Sequence, residues 1–533
     1  MERYLCLKYL EMRKVYFIGL GLFFLGQTAI SQTLVKGFVY SDTNKNGKKE
    51  NNEKGIATVA VTNGREVVLT DKNGFYELPV GVDHIISVIK PSAYQVSSNS
   101  DNLPQFFYNH KPGGSPQLKY KGVAPTGKLP DNVNFGLQPA GDELNFKMLV
   151  FGDPQPYTLE EVDYFDRGIV AELEGVKNVA FGLSMGDIVG NNPDLFNPYI
   201  KAVKKIGTPW YNLMGNHDVN FDATADSLSD ESFEAHFGPA NYAFNYGKTH
   251  FIVLDNILYP DPRGGKSYWG GFREDQLAFI KNDLKFVPKD YLVVLAFHIP
   301  ISKNANAFRQ SDREQLFDLL SEFPHTLSLS AHTHNQYQAF FTKADGWKQE
   351  KAHHHYNVGT TSGNWYSGEL DSKGVPVSTM SDGTPKGYAF INFTANQYKV
   401  EYKAAGKAKD YQIEISIPKV VEKDKKTSAK VYANFFMGSE KDEVLMRVDG
   451  GKWTKMQHLE DKDPAFLHLQ HRWDYAEELL SGKRPGAAND SKHLWTANIP
   501  TKLAAGEHII EVKATDIYGQ VFSQKKSYKV VER

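Results

Sequence analysis

Between residue 33 and about residue 138, apolar and polar residues alternate in short runs, Leu34–Tyr40, Thr58–Val61, Glu66–Leu69, Phe75–Leu78 and Ile85–Ile89, with Gly and Asn between them. Alternation of period two in such short segments predicts strands with one buried face, and turn residues at close intervals predict an all-β sandwich. A Pro-, Gly- and Lys-rich stretch from Lys111 to Pro130 reads as loop before the pattern closes on Val133-Asn134-Phe135-Gly136-Leu137. From Phe146 to about Val400 the texture changes. Strands are expected at Lys147–Phe151, Val179–Ser184, Trp210–Met214, Phe251–Leu254, Leu292–Ala296 and Thr326–Ser330, and amphipathic helices alternate with them. The capping boxes Thr158…Glu161 and Ser311…Glu314 open helices that run to about Glu174 and Phe323. A third helix spans Arg273–Val287, with Leu277, Ile280 and Leu284 on one face. This is the pattern of an α/β layered domain. After about Lys409 the alternation returns in Tyr411–Ile417, Ser428–Phe436, Val444–Val448, His508–Ala514 and Val521–Val530, which predicts a last β-sandwich. The expected plan is multidomain: a central α/β domain (143–405) between an N-terminal (33–139) and a C-terminal (411–533) β-sandwich.

The start of the chain adds a leader. Arg13 and Lys14 precede an apolar run from Val15 to Leu25, followed by Ala29-Ile30-Ser31. A charged segment, a short apolar segment and a small-residue site are the parts of a secretory signal peptide, expected to span 1–31. The apolar run is far shorter than the ~20 residues that cross a bilayer, so no membrane span is expected in the mature chain. The expected location is periplasmic, or secreted to the cell surface.

Composition narrows the chemistry. Hydrophobic residues make up 41% of the 533 and charged residues 23%, enough to build cores. Lys plus Arg number 61 against 63 Asp plus Glu, a net charge of −2, so no global positive field favours nucleic acid, and no nucleic-acid partner is expected. Cys6, inside the leader, is the one cysteine of the sequence. Disulfides and thiolate metal sites are therefore excluded, and any metal must be held by His, Asp, Glu, Asn or Gln.

Two constellations carry candidate chemistry. Asp42-Thr43-Asn44-Lys45-Asn46-Gly47 followed by Glu53 satisfies the calcium-loop template D-x-[DN]-x-[DN]-G-x5-E, with Asp42, Asn44, Asn46 and Glu53 as ligands. The flanking helices of that template are missing, so an Asn- and Gly-rich turn without metal is the competing reading. In the central domain five strand candidates end in metal-capable residues: Asp153-Pro154-Gln155, Gly186-Asp187, Gly215-Asn216-His217-Asp218, His298 and His332-Thr333-His334. Ligand sites in α/β sheets collect at the carboxyl ends of strands, so the five ends can converge on one crevice. Residues i and i+2 of an extended chain point to the same side, which lets Asp153 with Gln155, and His332 with His334, project together. The run His353-His354-His355 reads as an exposed loop, and Asn191 and Asn364 lie in loops that can rim the pocket as substrate contacts.

The order of these five blocks resembles the calcineurin-like metallophosphoesterase superfamily, and the β-rich domains on both sides resemble an exported bacterial branch of it. The resemblance implies a metallophosphoesterase-like fold, a layered β-sandwich with flanking helices. It also implies two divalent metal ions, one held by Asp153, Gln155 and His334, the other by Asn216, His298 and His332, with Asp187 bridging. A metal-bridging hydroxide would attack the phosphorus and His217 would protonate the leaving oxygen. Gln155 stands where most of the superfamily has His; its harder oxygen favours Mn, Mg or Fe over Zn. Protein phosphatases orient the catalytic His with an Asp where Gly190 stands here; Asp218 is a catalytic candidate beside His217, and whether it orients that ring is left open by the sequence. The N-terminal segment likewise resembles the small β-domains of cell-surface proteins that carry calcium loops, which implies a calcium-stiffened spacer. Two functions are carried forward: a dinuclear metal-dependent phosphoesterase acting on phosphate monoesters or diesters, and a non-catalytic cell-surface binding protein with a relic phosphoesterase domain. Oligomeric state is not legible.

Overall fold

The alternating segments pair as period-two strands must, with every second side chain inward. In this computed structural model, which describes residues 33–532, the N-terminal region forms two four-stranded sheets. One runs Phe75–Pro79, Leu34–Ser41, Phe135–Pro139, Tyr94–Val96, and the other Val67–Leu69, Ala60–Thr62, His84–Ile89, Phe107–His110. Val35, Val39, Tyr76 and Leu137 from the first face Val61, Ile86 and Val88 from the second in a common core. The expected leader, with Cys6 and the expected cleavage site after Ser31, lies outside the described residues.

The central region has two larger sheets. The first orders Trp210–Leu213, Phe181–Met185, Asn145–Phe151, Gly387–Thr394 and Gln397–Ala404, its first three strands parallel. The second orders Tyr242–Tyr246, Thr249–Val253, Leu292–Ala296, His325–Ser330, His353–Asn357 and Tyr337–Phe341, with the four strands from Thr249 to Asn357 parallel. Met148, Val150, Leu183 and Met185 share a core with Val253, Val294, Leu327 and Leu329, so the sheets stack face to face. The alternate residues, Leu149, Phe151, Val293 and Leu295, pack outward against helix residues such as Phe165, Ile200, Ile280 and Leu316. Both faces of the parallel strands are thus buried, which is why they read as continuous apolar runs.

Helices Leu159–Gly168 and Glu274–Asp283 lie inside the expected spans. Thr158 caps the first, its hydroxyl accepting from the Glu161 amide at 3.1 Å. The helix expected to open at Ser311 instead runs Gln310–Leu319 after Arg309, and Asp312 spends one carboxylate oxygen on the Phe272 amide and the Arg309 guanidinium. The C-terminal region forms a four-stranded and a five-stranded sheet and also a helix, Pro464–Asp474, which the alternation pattern did not disclose. Among the described residues no helix is long and apolar enough to cross a membrane.

Candidate metal centre

All five marked segments sit at the carboxyl ends of parallel strands: Asp153 after Asn145–Phe151, Asp187 after Phe181–Met185, Asn216 after Trp210–Leu213, His298 after Leu292–Ala296, and His332 and His334 after His325–Ser330. They converge. His298 Nε2 lies 3.2 Å from Asp187 Oδ2 and 3.9 Å from Asp153 Oδ1, and His334 Nε2 lies 3.8 Å from the same Asp153 oxygen. His332 Nδ1 stands 3.3 Å from His298 Nε2, and Asp187, His298 and His332 each turn a ligand atom into one space. Gln155 Nε2 is 3.3 Å from Asp187 Oδ2.

The backbone is bent to make this meeting. Asp153 (φ 33°), Gln155 (41°), Asp187 (47°), His332 (69°) and His334 (51°) are all non-glycine residues in the left-handed region. Such conformations cost about 1–3 kcal/mol each and persist where the surroundings enforce them, typically at functional sites. The outer ring nitrogens are tied down: His298 Nδ1 bonds the Met185 carbonyl (2.7 Å) and His334 Nδ1 the Gly363 carbonyl (2.9 Å), and Trp365 stacks on His334 at 4.0 Å. Each imidazole is thereby fixed with Nε2 inward.

The electrostatics suit a cation. Burial raises the Asp153 carboxyl well above its usual range, with His298 opposing. Burial also raises Asp187, but His298 and His217 more than offset it and hold that carboxyl low. His298 reaches about 9, since Asp187 and Asp153 outweigh the lowering by burial. Burial lowers His332 to about 3 and His334 to about 4, which keeps both neutral and able to donate a lone pair.

Three family models match this chain: "N terminal of Calcineurin-like phosphoesterase" over residues 43–121, "Calcineurin-like phosphoesterase" over 146–336, and "C terminal of Calcineurin-like phosphoesterase" over 355–522. Together they cover most of the sequence. The chain belongs to the calcineurin-like phosphoesterase family. It is a metal-dependent phosphoesterase of that family, with the central domain flanked by N- and C-terminal domains. No curated protein matches it. Among solved structures it is similar to purple acid phosphatase PPD1 from yellow lupin (Lupinus luteus) seeds, at 12% identity over 65% of this chain and 67% of that one, TM-score 0.36. It is also similar to superoxide reductase (neelaredoxin) from Ignicoccus hospitalis, at 10% identity over 23% of this chain and 81% of that one, TM-score 0.13. Both likenesses are too distant to bear on its chemistry.

The residues present fit the divalent ions that this phosphoesterase family implies. Gln155 Oε1, Asn216 Oδ1 and His334 Nε2 are buried with no hydrogen-bond partner. All three are lone-pair donors, and a buried donor atom without a partner costs about 1–3 kcal/mol unless something else, here a cation, takes it. Two imidazole nitrogens 3.3 Å apart, at His298 and His332, likewise require a proton or a cation between them.

Beside the centre, His217 donates its backbone N–H to Asp187 Oδ1 (2.8 Å), and its Nε2 lies 4.0 Å from Asp187 Oδ2. Asn191, not Asp218, is the partner of its ring. The Asp218 carboxylate is turned away and fully buried, accepting from the amides of Ile188 (3.0 Å), Val189 (3.0 Å) and Gly215 (2.9 Å). It ties the Asp187 loop to the Asn216 loop and has no bond to the His217 ring. Asn191, expected to touch substrate, instead places Oδ1 2.6 Å from His217 Nδ1. Gly190 has no room for a side chain, since a Cβ there would come within 2.6 Å of the Tyr157 ring. Asn364 is a structural residue: its amide nitrogen donates to Ser381 Oγ (2.6 Å), and its oxygen accepts from the Gly486 amide (2.8 Å) and Ser367 Oγ (3.1 Å). Nor is His353-His354-His355 an exposed loop; it is an interior strand, with His353 and His355 fully buried.

Proposed function

We propose that this protein is an exported, dinuclear phosphoesterase. One ion would be held by Asp153, Gln155 and His334, the other by Asn216, His298 and His332, with Asp187 shared. The observation that carries this reading is the trio of buried, partnerless lone pairs on Gln155, Asn216 and His334 around the Asp187–His298–His332 group. Two amide oxygens among the donors favour Mn, Mg or Fe over Zn. Bound divalent ions would supply charge for the phosphoryl oxygens and activate water at neutral pH.

The chain's own residues do the rest. With Nδ1–H donated to Asn191 Oδ1, the imidazolium of His217 holds its second proton at Nε2, on the side of Asp187, where it can pass to a leaving oxygen. Tyr157, at 6.0 Å from His217, and Tyr268, at 5.9 Å from His332, flank the centre with edge-to-face aromatic rings. Export is supported by the leader pattern of residues 13–31.

A calcium ion in the Asp42–Glu53 loop belongs to the same reading. Asp42 accepts from the amides of Asn46 (3.1 Å) and Gly47 (3.0 Å), which draws the loop around its carboxylate. Glu53, two residues before the Tyr40–Gly55 bridge, is 5% exposed, accepts from the Glu50 amide at Oε2 (3.1 Å) and leaves Oε1 without a partner.

Hydrolysis of p-nitrophenyl phosphate beside bis-p-nitrophenyl phosphate, by metal-stripped protein and after Mn²⁺ is restored, tests the enzyme. Metal-dependent turnover is expected, and the preferred ester separates monoester from diester substrates. Failure on both esters with two equivalents of Mn²⁺ bound would favour the surface-binding function instead.

A further inference from the structure

The second sheet buries a file of polar side chains between two neighbouring parallel strands. His325–Ser330 and His353–Asn357 pair with Ser328 opposite His355 and Ser330 opposite Asn357, so Thr326, Ser328 and Ser330 share a face with His353, His355 and Asn357. Their side chains interleave. Thr326 Oγ1 lies 2.8 Å from His353 Nδ1, His353 Nε2 2.7 Å from Ser328 Oγ, Ser328 Oγ 2.7 Å from His355 Nδ1, and His355 Nε2 2.9 Å from Ser330 Oγ. Ser330 Oγ donates to Asn357 Oδ1 at 2.8 Å, and Asn357 Nδ2 donates to Thr333 Oγ1 (2.8 Å) and the Asn335 carbonyl (2.7 Å).

Proton counting gives the file one direction. Both hydrogens of the Asn357 amide go to the 333–335 turn, so its oxygen must accept from Ser330. Ser330 then accepts from His355 Nε2–H, and His355 Nδ1 accepts from Ser328. Ser328 accepts in turn from His353 Nε2–H, whose Nδ1 takes the Thr326 hydroxyl proton. Each imidazole is neutral and carries its proton on Nε2, and burial, which lowers His353 to about 3 and pushes His355 well below the usual imidazole range, keeps them so. The file ends on the turn that carries His332 and His334, both held at positive φ.

We propose that Asn357 is the positioning residue of the His332–His334 turn, its amide locked in one orientation by the hydrogen-bonded Thr326–His353–Ser328–His355–Ser330 file behind it. This rests on the proposed ligand roles of His332 and His334. Groups standing behind metal ligands typically change affinity by ~10–100-fold when altered. Asn357→Asp keeps the side-chain size but loses the donors to Thr333 and to the Asn335 carbonyl. Ser330→Ala leaves the amide in place but removes the proton that orients it.

The test is direct Mn²⁺ binding by titration calorimetry on the full chain, with thermal melts as a control for folding and His-selective ¹⁵N spectra as a second readout. Wild type should bind two Mn²⁺, and Asp187→Asn should lose them; if wild type binds none, the ligand reading itself fails. Given wild-type binding, Asn357→Asp should weaken Mn²⁺ ~10–100-fold and Ser330→Ala by less, with turnover restored by excess Mn²⁺. Wild-type affinity in Asn357→Asp would overturn the proposal, as would turnover that excess Mn²⁺ does not restore. In ¹⁵N spectra His353 and His355 should both appear as neutral Nε2–H forms from pH 5 to 9. An Nδ1–H form of either would overturn the locked file.

Discussion

Asn191 meets His217 twice: its backbone N–H donates to the His217 carbonyl at 3.1 Å, and its Oδ1 faces Nδ1 at 2.6 Å, where a neutral carbonyl does what a carboxylate would do with a charge. It fixes the ring and adds no negative charge near the centre. Asn191→Ala should therefore lower kcat ~10-fold or more and leave metal content at the wild-type value, and His217→Ala should lower it ~10²–10⁴-fold, also without metal loss. Asp218→Ala should behave differently. It strands the three buried amides of Ile188, Val189 and Gly215, each worth roughly 1–3 kcal/mol, and should cost melting temperature and bound metal together. Metal analysis and melting curves on the three variants separate the roles; equal metal loss in Asn191→Ala and Asp218→Ala would refute this division.

At the scale of elements, the strand ends were readable because a parallel sheet sends chemistry to one edge, and D-x-Q, G-D, G-N-H-D, H and H-x-H each follow an apolar run. Residues 353–355 misled because three histidines in a row read as polar, and nothing local announces that Thr326, Ser328 and Ser330 will satisfy two of them inside the sheet. The helix Pro464–Asp474 did carry a signal: Asp463 accepts from the Phe466 amide at 2.8 Å and Pro464 holds the first helical position, the usual start of a helix. The calcium loop was legible as a template, and what the fold adds is the partnerless oxygen of Glu53. Ca²⁺ should raise the melting temperature of the full chain while Glu53→Gln abolishes that rise, and Mg²⁺ should do far less, because it dehydrates reluctantly. No Ca²⁺-dependent shift in wild type would leave the loop as a turn held by its own hydrogen bonds, those accepted by Asp42, Asn44, Asn46 and Glu50.

Across the whole molecule the flanking domains are fastened to the central one by buried polar groups, which the sequence could not place because the pairs that cross between domains lie a hundred or more residues apart. On the C-terminal side the Gln336 amide donates to the Phe436 carbonyl at 2.7 Å, and Asp382 accepts from the Gln336 backbone and faces His493 at 3.3 Å, just beyond the His332–His334 turn. On the N-terminal side Lys111 meets Glu231 and Glu234, while Lys90, 2% exposed, donates to the Tyr94 carbonyl at 2.8 Å and lies over the Tyr246 ring at 4.2 Å. Burial lowers Lys90 to about 7, with Asp142 opposing, and lowers Lys386 to about 8, with Asp371 and Glu172 opposing. The sign follows from proton counting: between about pH 7 and 10 the unfolded chain keeps these lysines protonated while the folded chain releases the protons, so unfolding free energy rises with pH. The contribution of Lys90 is at most roughly 4 kcal/mol, reduced by its carbonyl and ring contacts, which favour the charged form. Denaturant titrations at pH 7 and 9.5 should show stability increasing toward alkaline pH, below the range where the buried tyrosines reverse the trend. Lys90→Met should flatten most of that slope, and a slope unchanged in Lys90→Met would mean that the lysine stays charged where the two domains meet.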